Sequence, residues 1–265
     1  MSEMRAAARR LIEHVLLWLG LGYLGVMCLA WVPVAILLHP LLPAAAARRF
    51  GRRMIMAGFR SYTGFLAAIG ACRFDLAALD ALRGAGPLIL APNHPSLLDA
   101  VMLISRLPDV ACIMKAGLMD NLFLGAGARL ARYIRNDAPL SMVIGASEEL
   151  AAGSQLLVFP EGTRTTRLPA NPLLSSVALI ARRARVPVQA IFIETASPYL
   201  TKGWPLLRRP DMPVTYRVRL GARFDPPGDV PAFMHALERH FATELAHAPL
   251  PALPSANRPA VAPNS

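Results

Sequence analysis

The chain is short of charge, and of acid above all. Charged residues make up 17% of its 265 positions, and 28 Lys+Arg against 17 Asp+Glu leave a net charge of +11. With 54% hydrophobic residues, this is too apolar a composition for an ordinary wholly soluble protein. Cysteine is scarce. Cys28, Cys72 and Cys112 are odd in number, scattered, and contain no C-x-x-C pair. That argues against a disulfide scaffold or a zinc site and fits a reducing compartment. No nucleic-acid module is present, nor aromatics interleaved with basic residues on one face, so nucleic acid is not the expected partner of the positive charge. G-x-S-x-G and H-E-x-x-H are both missing, which removes the serine-elbow and zincin readings. His235, Glu238, His240 and Glu244 read as a solvated helix face, and no metal is expected. No internal repeat is visible.

What the chain does have is a long uncharged run. Residues 15–38 carry no formal charge and would reach roughly 36 Å as a helix, against a hydrocarbon core of about 30 Å. Pro33, Pro40 and Pro43 punctuate its second half. Arginines flank both sides: Arg5, Arg9 and Arg10 before it, Arg48, Arg49, Arg52 and Arg53 after it. By the positive-inside rule both ends belong on the cytoplasmic face, so the expectation is a hairpin dipping into one leaflet and breaking at Pro33. Residues 44–69 mix Phe50, Met54, Ile55, Phe59 and Phe65 with arginine, as an interfacial helix does. A cleaved signal peptide is the alternative, but its apolar region would be much shorter. The expected setting is the cytoplasmic face of the cell inner membrane, against an anionic lipid surface.

From residue 86 onward, short apolar runs alternate with helical stretches, the pattern of a sheet with crossover helices. Strands are expected at 87–91, 110–114, 132–135, 155–159, 188–193 and 214–220. Helices are expected between Asp137 and Gly153, over 173–184, and over 231–247. Fold and domains follow: a membrane-embedded helical hairpin over 1–70, an α/β domain over 71–247 with a mixed, largely parallel sheet and flanking helices, and a tail over 248–265. That tail carries five prolines and almost no apolar clusters, so it is expected to be disordered.

Two stretches carry chemistry. Asn93-His94-Pro95-Ser96-Leu97-Leu98-Asp99 follows directly on an apolar strand, placing His94 at the carboxyl edge of a sheet, where ligands bind. A turn leading into a helix brings Asp99 back to the imidazole, and a carboxylate there fixes the tautomer a general base needs. Phe159-Pro160-Glu161-Gly162-Thr163-Arg164 follows another strand, and its backbone N–H groups, hydroxyl and guanidinium suit a phosphate.

Taken together, NHPSLLD and FPEGTR resemble the glycerolipid acyltransferase family, whose best-known members acylate lysophosphatidic acid. The resemblance covers roughly residues 85–195. Tyr133-Ile134-Arg135-Asn136 resembles that family's intermediate motif, and Val186-Pro187-Val188-Gln189-Ala190-Ile191 its closing strand. The resemblance implies His94 as base and Asp99 as its orienter. It implies Asn93, Ser96, Arg135, Glu161, Gly162, Thr163 and Arg164 around the acceptor. It also implies a membrane lipid acceptor, with acyl-CoA or acyl carrier protein as acyl donor and no cofactor. Leu97 stands where the family often has an aromatic residue. Residues 169–176 replace a Phe-Lys-x-Gly element common in lysophosphatidic acid acyltransferases, so the acceptor stays open. Residues 197–203 look more like relatives of specialised lipid or aryl-polyene pathways. A thioesterase and a non-catalytic membrane adaptor on the same fold are the competing readings. Lys115, at the end of the second expected strand, and the group Arg208, Arg209, Arg217, Arg219 and Arg223 are further basic candidates, the latter facing a carrier protein or anionic lipid.

Overall fold

The computed structural model describes residues 2–251, with the backbone alone for Ser2 and residues 122–124. Two long helices come first, α1 (Ser2–Leu41) and α2 (Ala44–Ala68). The α/β part follows as β1 (Cys72–Asp75), β2 (Leu88–Pro92), α3 (Asp99–Ile104), β3 (Val110–Met114), α4 (Ala116–Met119), α5 (Leu122–Leu130) and β4 (Ile134–Arg135). It closes with α6 (Pro139–Ala151), β5 (Gln155–Leu157), α7 (Ser176–Ala184), β6 (Val188–Glu194), β7 (Val214–Phe224) and α8 (Val230–Leu245).

The seven strands form one sheet in the order β1-β7-β6-β2-β5-β3-β4. Every pairing is parallel except β6 with β7, so the sheet is mixed and largely parallel, as expected. The central strands β2 and β6 are buried along their whole length, because helices cover both faces. One core lies under α1, α2 and α3 and includes Tyr62, Leu66, Leu103 and Tyr216. The other lies under α6, α7 and α8 and includes Ile89, Leu150, Ile180 and Phe241. Strand β1 was not anticipated. It is four residues long and alternates in burial, too short and mixed to stand out beside β7, its single partner.

The N-terminal run does not break at Pro33. Helix α1 passes through Pro33 and Pro40, and the chain reverses only at Leu42 and Pro43, so the second arm of the hairpin is α2. A proline inside a helix costs about 3 kcal/mol. Val32 and Ala35 beside it are buried with Ala126 and Leu130 of α5, which offsets that loss. The arms pack antiparallel: Tyr23 stacks on Phe65 with ring centroids 4.3 Å apart, and Tyr23 Oη lies 2.6 Å from Ser61 Oγ. Glu3–Leu41 is long and apolar enough to cross a membrane. One side of it packs on protein, while Leu11, Val15, Trp18, Leu19, Val26 and Leu29 stand exposed on the other.

Helix α2 buries a whole side against protein, Tyr62 and Leu66 included, and with it one of its arginines. Arg52 is turned inward and fully buried. It donates to Asp109 Oδ1 at 2.7 Å, Glu149 Oε2 at 2.6 Å, Ser154 Oγ at 2.7 Å and Ala131 O at 3.1 Å. Gly51 permits the approach, since a Cβ there would lie 2.8 Å from Ala131 N. The disordered-tail expectation falls mostly on residues 252–265, outside the described residues. Residues before them are docked: Thr195 N–H donates to Pro249 O at 2.9 Å, and Leu250 packs on the second core.

Candidate active site

Parallel strands β2, β3, β5 and β6 end on the same edge of the sheet, and the loops after β2, β5 and β6 converge there. After β2 the chain turns so that Asp99 opens α3 and faces back toward His94. His94 Nδ1 lies 2.8 Å from Asp99 Oδ2. That oxygen also accepts from Ser96 N–H at 2.8 Å. An oxygen receiving a backbone N–H is an acceptor, which assigns the imidazole proton to Nδ1 and leaves Nε2 with its lone pair. Phe159 fixes the ring plane, stacking on His94 at 3.8 Å between centroids.

Asp99 is fully buried, and its Oδ1 has no hydrogen-bond partner among the described residues. Burial pushes its pKa above the ordinary carboxylate range, while the bonds from His94 and Ser96 pull the other way. Beneath the turn, Ser96 Oγ donates to Tyr199 O at 3.2 Å and lies 3.2 Å from Tyr216 Oη on β7. Burial holds the Tyr216 phenol well above its usual pKa, so it remains a neutral donor.

The FPEGTR turn is tied to the His94 turn by its own glutamate. Glu161 Oε1 accepts from His94 N–H at 2.9 Å and Thr165 Oγ1 at 2.8 Å, and Oε2 accepts from Asn171 N–H at 2.8 Å. Burial raises its pKa and those three donated bonds oppose the rise. Thr165 N–H returns to His94 O at 2.7 Å. Arg164 Nη1 donates to Leu200 O at 2.8 Å and Thr201 O at 2.9 Å, clamping the loop after β6. Leu97 N–H donates to the same Leu200 O at 3.1 Å, and Leu200 holds a left-handed φ of 60° to present it.

The expected site residues therefore divide. His94, Asp99, Glu161, Gly162, Thr163 and Arg164 meet at one edge. Asn93 is spent on protein: its amide pairs both ways with the Ile193 backbone, at 2.7 and 3.0 Å. Ser96 is buried beneath the turn, and the Glu161 carboxylate is fully engaged, so all three orient the site's backbone rather than face a ligand. Arg135 lies apart. It sits on edge strand β4, bound to Asp120 and Asp137 at 2.7 and 2.9 Å, three strands from β2, or roughly 14 Å at the usual strand spacing. Phe159, Thr165, Asn171, Tyr199 and Tyr216 complete the site without having been singled out. Phe159 could have been found from its place in the motif. The others take part through tertiary contacts alone.

Gly162 has φ +65°, and a Cβ there would lie 2.5 Å from Leu174 Cδ1. We expect Gly162→Ala to destabilise the fold by about 1–2 kcal/mol, the penalty for a side chain in this region. Thermal unfolding beside Gly153→Ala, which has φ +94° but open space around it, separates the clash from the backbone strain. An unchanged melting temperature for Gly162→Ala would show that the turn relaxes freely.

Residues 73–194 match the family model described as Acyltransferase. The match spans a little under half of the chain. A Caenorhabditis elegans protein named as a 1-acyl-sn-glycerol-3-phosphate acyltransferase is 32% identical over 110 residues, 39% of this chain and 39% of that protein. The chain thus spans about two fifths of that relative's length. The crystal structure of the 1-acyl-sn-glycerophosphate (LPA) acyltransferase PlsC from Thermotoga maritima superposes with a TM-score of 0.65. It is 16% identical, covering 90% of this chain and 96% of that one. The fold is therefore shared beyond the matched domain, through the two N-terminal helices.

Proposed function

We propose that this protein is an acyltransferase that moves a fatty acyl group from a thioester donor, acyl-CoA or acyl carrier protein, onto the hydroxyl of a 1-acylglycerol-3-phosphate-like acceptor at the membrane surface. The carrying observation is the His94–Asp99 pair, held at 2.8 Å with Nε2 free at the edge where Arg164 sits. The acceptor hydroxyl gives its proton to Nε2 as its oxygen attacks the thioester carbonyl carbon. Asp99 stabilises the imidazolium that results. The tetrahedral intermediate then expels the thiolate, which takes the proton back from His94. The thioester supplies the driving force.

The oxyanion needs a donor, and the obvious N–H groups are already committed. Gly162 N–H donates to Phe159 O at 3.0 Å, and Asn93 N–H to Ile191 O at 3.3 Å. The N–H groups of Thr163 and Arg164, just after the left-handed Gly162, have no protein acceptor among the described residues. They form a small anion-accepting turn. For the acceptor phosphate, Arg164 keeps Nε and Nη2 free, because only Nη1 is bound to protein. The exposed apolar side of α1 supports attachment to one leaflet, with the basic flanks on the cytoplasmic side.

Acyl transfer to 1-acylglycerol-3-phosphate and to its phosphate-free counterpart tests this reading. Losing a charge-assisted contact is worth about 1.5–3 kcal/mol, or more than tenfold. Arg164→Ala should therefore raise the KM of the phosphorylated acceptor more than tenfold and leave the donor KM nearly unchanged. Equal KM values for the two acceptors in the unaltered enzyme would remove phosphate from the proposal. Release of free fatty acid in place of acylated product would make water the acceptor.

A further inference from the structure

Residues 202–212 form a loop that rests on the first core through Trp204 and Met212 and leaves Leu206 and Leu207 exposed at its tip. Their sequence, Lys202-Gly203-Trp204-Pro205-Leu206-Leu207-Arg208-Arg209, sets an apolar tip between cations. We propose that this loop is a second membrane contact, inserting Leu206 and Leu207 into the headgroup region of an anionic bilayer beside the mouth of the His94 site, with Trp204 at their base. It rests on the reading of α1 as membrane-attached.

Leu206 and Leu207 are 52% and 57% exposed side by side, an arrangement a soluble surface gains nothing from. The tip is nonetheless folded on itself. The Arg208 guanidinium lies 4.5 Å above the Trp204 ring, Trp204 Nε1–H donates to Arg208 O at 3.0 Å, and Arg208 N–H donates to Pro205 O at 2.9 Å. An indole backed by a cation, next to two leucines and a lysine, has the composition of an interfacial anchor.

Both ends of the loop are held. Arg209 pairs with the buried Glu13 of α1, Met212 N–H donates to Glu13 Oε1 at 3.3 Å, and Arg9 Nη2 donates to Met212 O at 3.5 Å. The end of the loop is thereby fixed against the N-terminal turns of α1, where Met212 lies beside the exposed Ile12. At its start, Trp204 meets the edge of Tyr199 at 6.2 Å between centroids, and the Tyr199 carbonyl bonds Ser96 under His94. One short segment thus ties the membrane helix to the catalytic turn. The partner that matches exposed leucines, indole and the two exposed flanking cations, Lys202 and Arg208, together is a lipid surface with negative headgroups. An acidic protein would meet the cations but leave the leucines unmatched. The consequence is depth: the site opens at headgroup level, where an acceptor's phosphate lies while its chain stays in the leaflet.

The test uses the full chain with an environment-sensitive fluorophore on Leu206→Cys in a Cys28→Ser background, Cys72 and Cys112 being buried. Vesicles of phosphatidylcholine with phosphatidylglycerol should shift its emission to the blue. The same label on Arg239→Cys, exposed on α8 against the opposite core, should not respond. Leu206→Glu/Leu207→Glu should raise the KM for vesicle-borne acceptor at least tenfold while leaving turnover of a short-chain, monomeric acceptor unchanged. If the protein floats with the vesicles but the Leu206→Cys label does not shift, the loop proposal is overturned and α1 attachment stands. Failure to float at all overturns both. A shift produced by acyl carrier protein without lipid would assign the loop to the donor and overturn the membrane role.

Discussion

Purified His94→Ala enzyme is expected to lose about 10²–10⁴-fold in kcat/KM, the usual contribution of a positioned general base, while keeping its far-UV circular dichroism and its vesicle binding. No other imidazole stands at this edge of the sheet. Lys115 is exposed at the end of β3, and the Glu161 carboxylate already accepts three hydrogen bonds. Asp99→Asn should act in the same direction. Its amide can mimic the shape of the carboxylate, but it cannot stabilise an imidazolium and would offer an N–H where Ser96 N–H also points. The pH dependence has a definite sign. Burial raises the Asp99 pKa, so acidification protonates this carboxyl at a higher pH than an ordinary aspartate. The acid limb of kcat/KM should accordingly lie above the ordinary carboxylate range. The stability linkage runs the opposite way: a raised carboxyl favours the folded state below its unfolded value, and that advantage is lost as pH rises through the folded one. Turnover by His94→Ala at the unaltered rate would sink the mechanism.

The candidate site was legible because its parts are local. His94 and Asp99 are five residues apart and end a fully buried strand, and FPEGTR repeats that strand-to-turn arrangement one strand over in the sheet. The sheet itself was legible from apolar runs such as residues 110–114 and 188–193, whose burial on both faces leaves no ambiguity. What stayed hidden depends on contacts between distant segments. Motif residues read as ligand contacts, Asn93 and Glu161 among them, turned out to hold loops to strands, because a buried amide or carboxylate must find its partners within the protein. Which backbone groups those would be is fixed by strand order, and strand order was not written in either motif. Tyr216 props the catalytic turn from β7, the strand that runs against its neighbour β6, and period-two alternation could mark it only as core. Pro33 misled for a related reason. Its local penalty is real, but α5 packs against the same stretch of α1, and tertiary burial outweighs one missing hydrogen bond.

Arg52 should matter more to stability than any other arginine in the N-terminal helices, although the sequence places it in an ordinary basic cluster. Its guanidinium is 1% exposed and joins α2 to three separate segments, through Asp109, through Glu149 with Ser154, and through Ala131. Truncation to alanine leaves those acceptors facing an empty slot. Removing one partner of a buried ion pair destabilises by about 3–5 kcal/mol. Asp109 is 48% exposed and can rehydrate, so the lower end of that range is expected. Arg52→Lys should recover only part, since an ammonium cannot span acceptors that a planar fork reaches in different directions. Arg53→Ala, one position along and exposed, should stay within about 0.5 kcal/mol, as surface substitutions usually do. Urea midpoints of the detergent-solubilised proteins measure all three. Equal midpoints for Arg52→Ala and Arg53→Ala would mean that the helical hairpin is held to the α/β domain by its apolar contacts alone. A large drop confined to Arg52→Ala would make this residue the link between the N-terminal helices and the strands that carry His94.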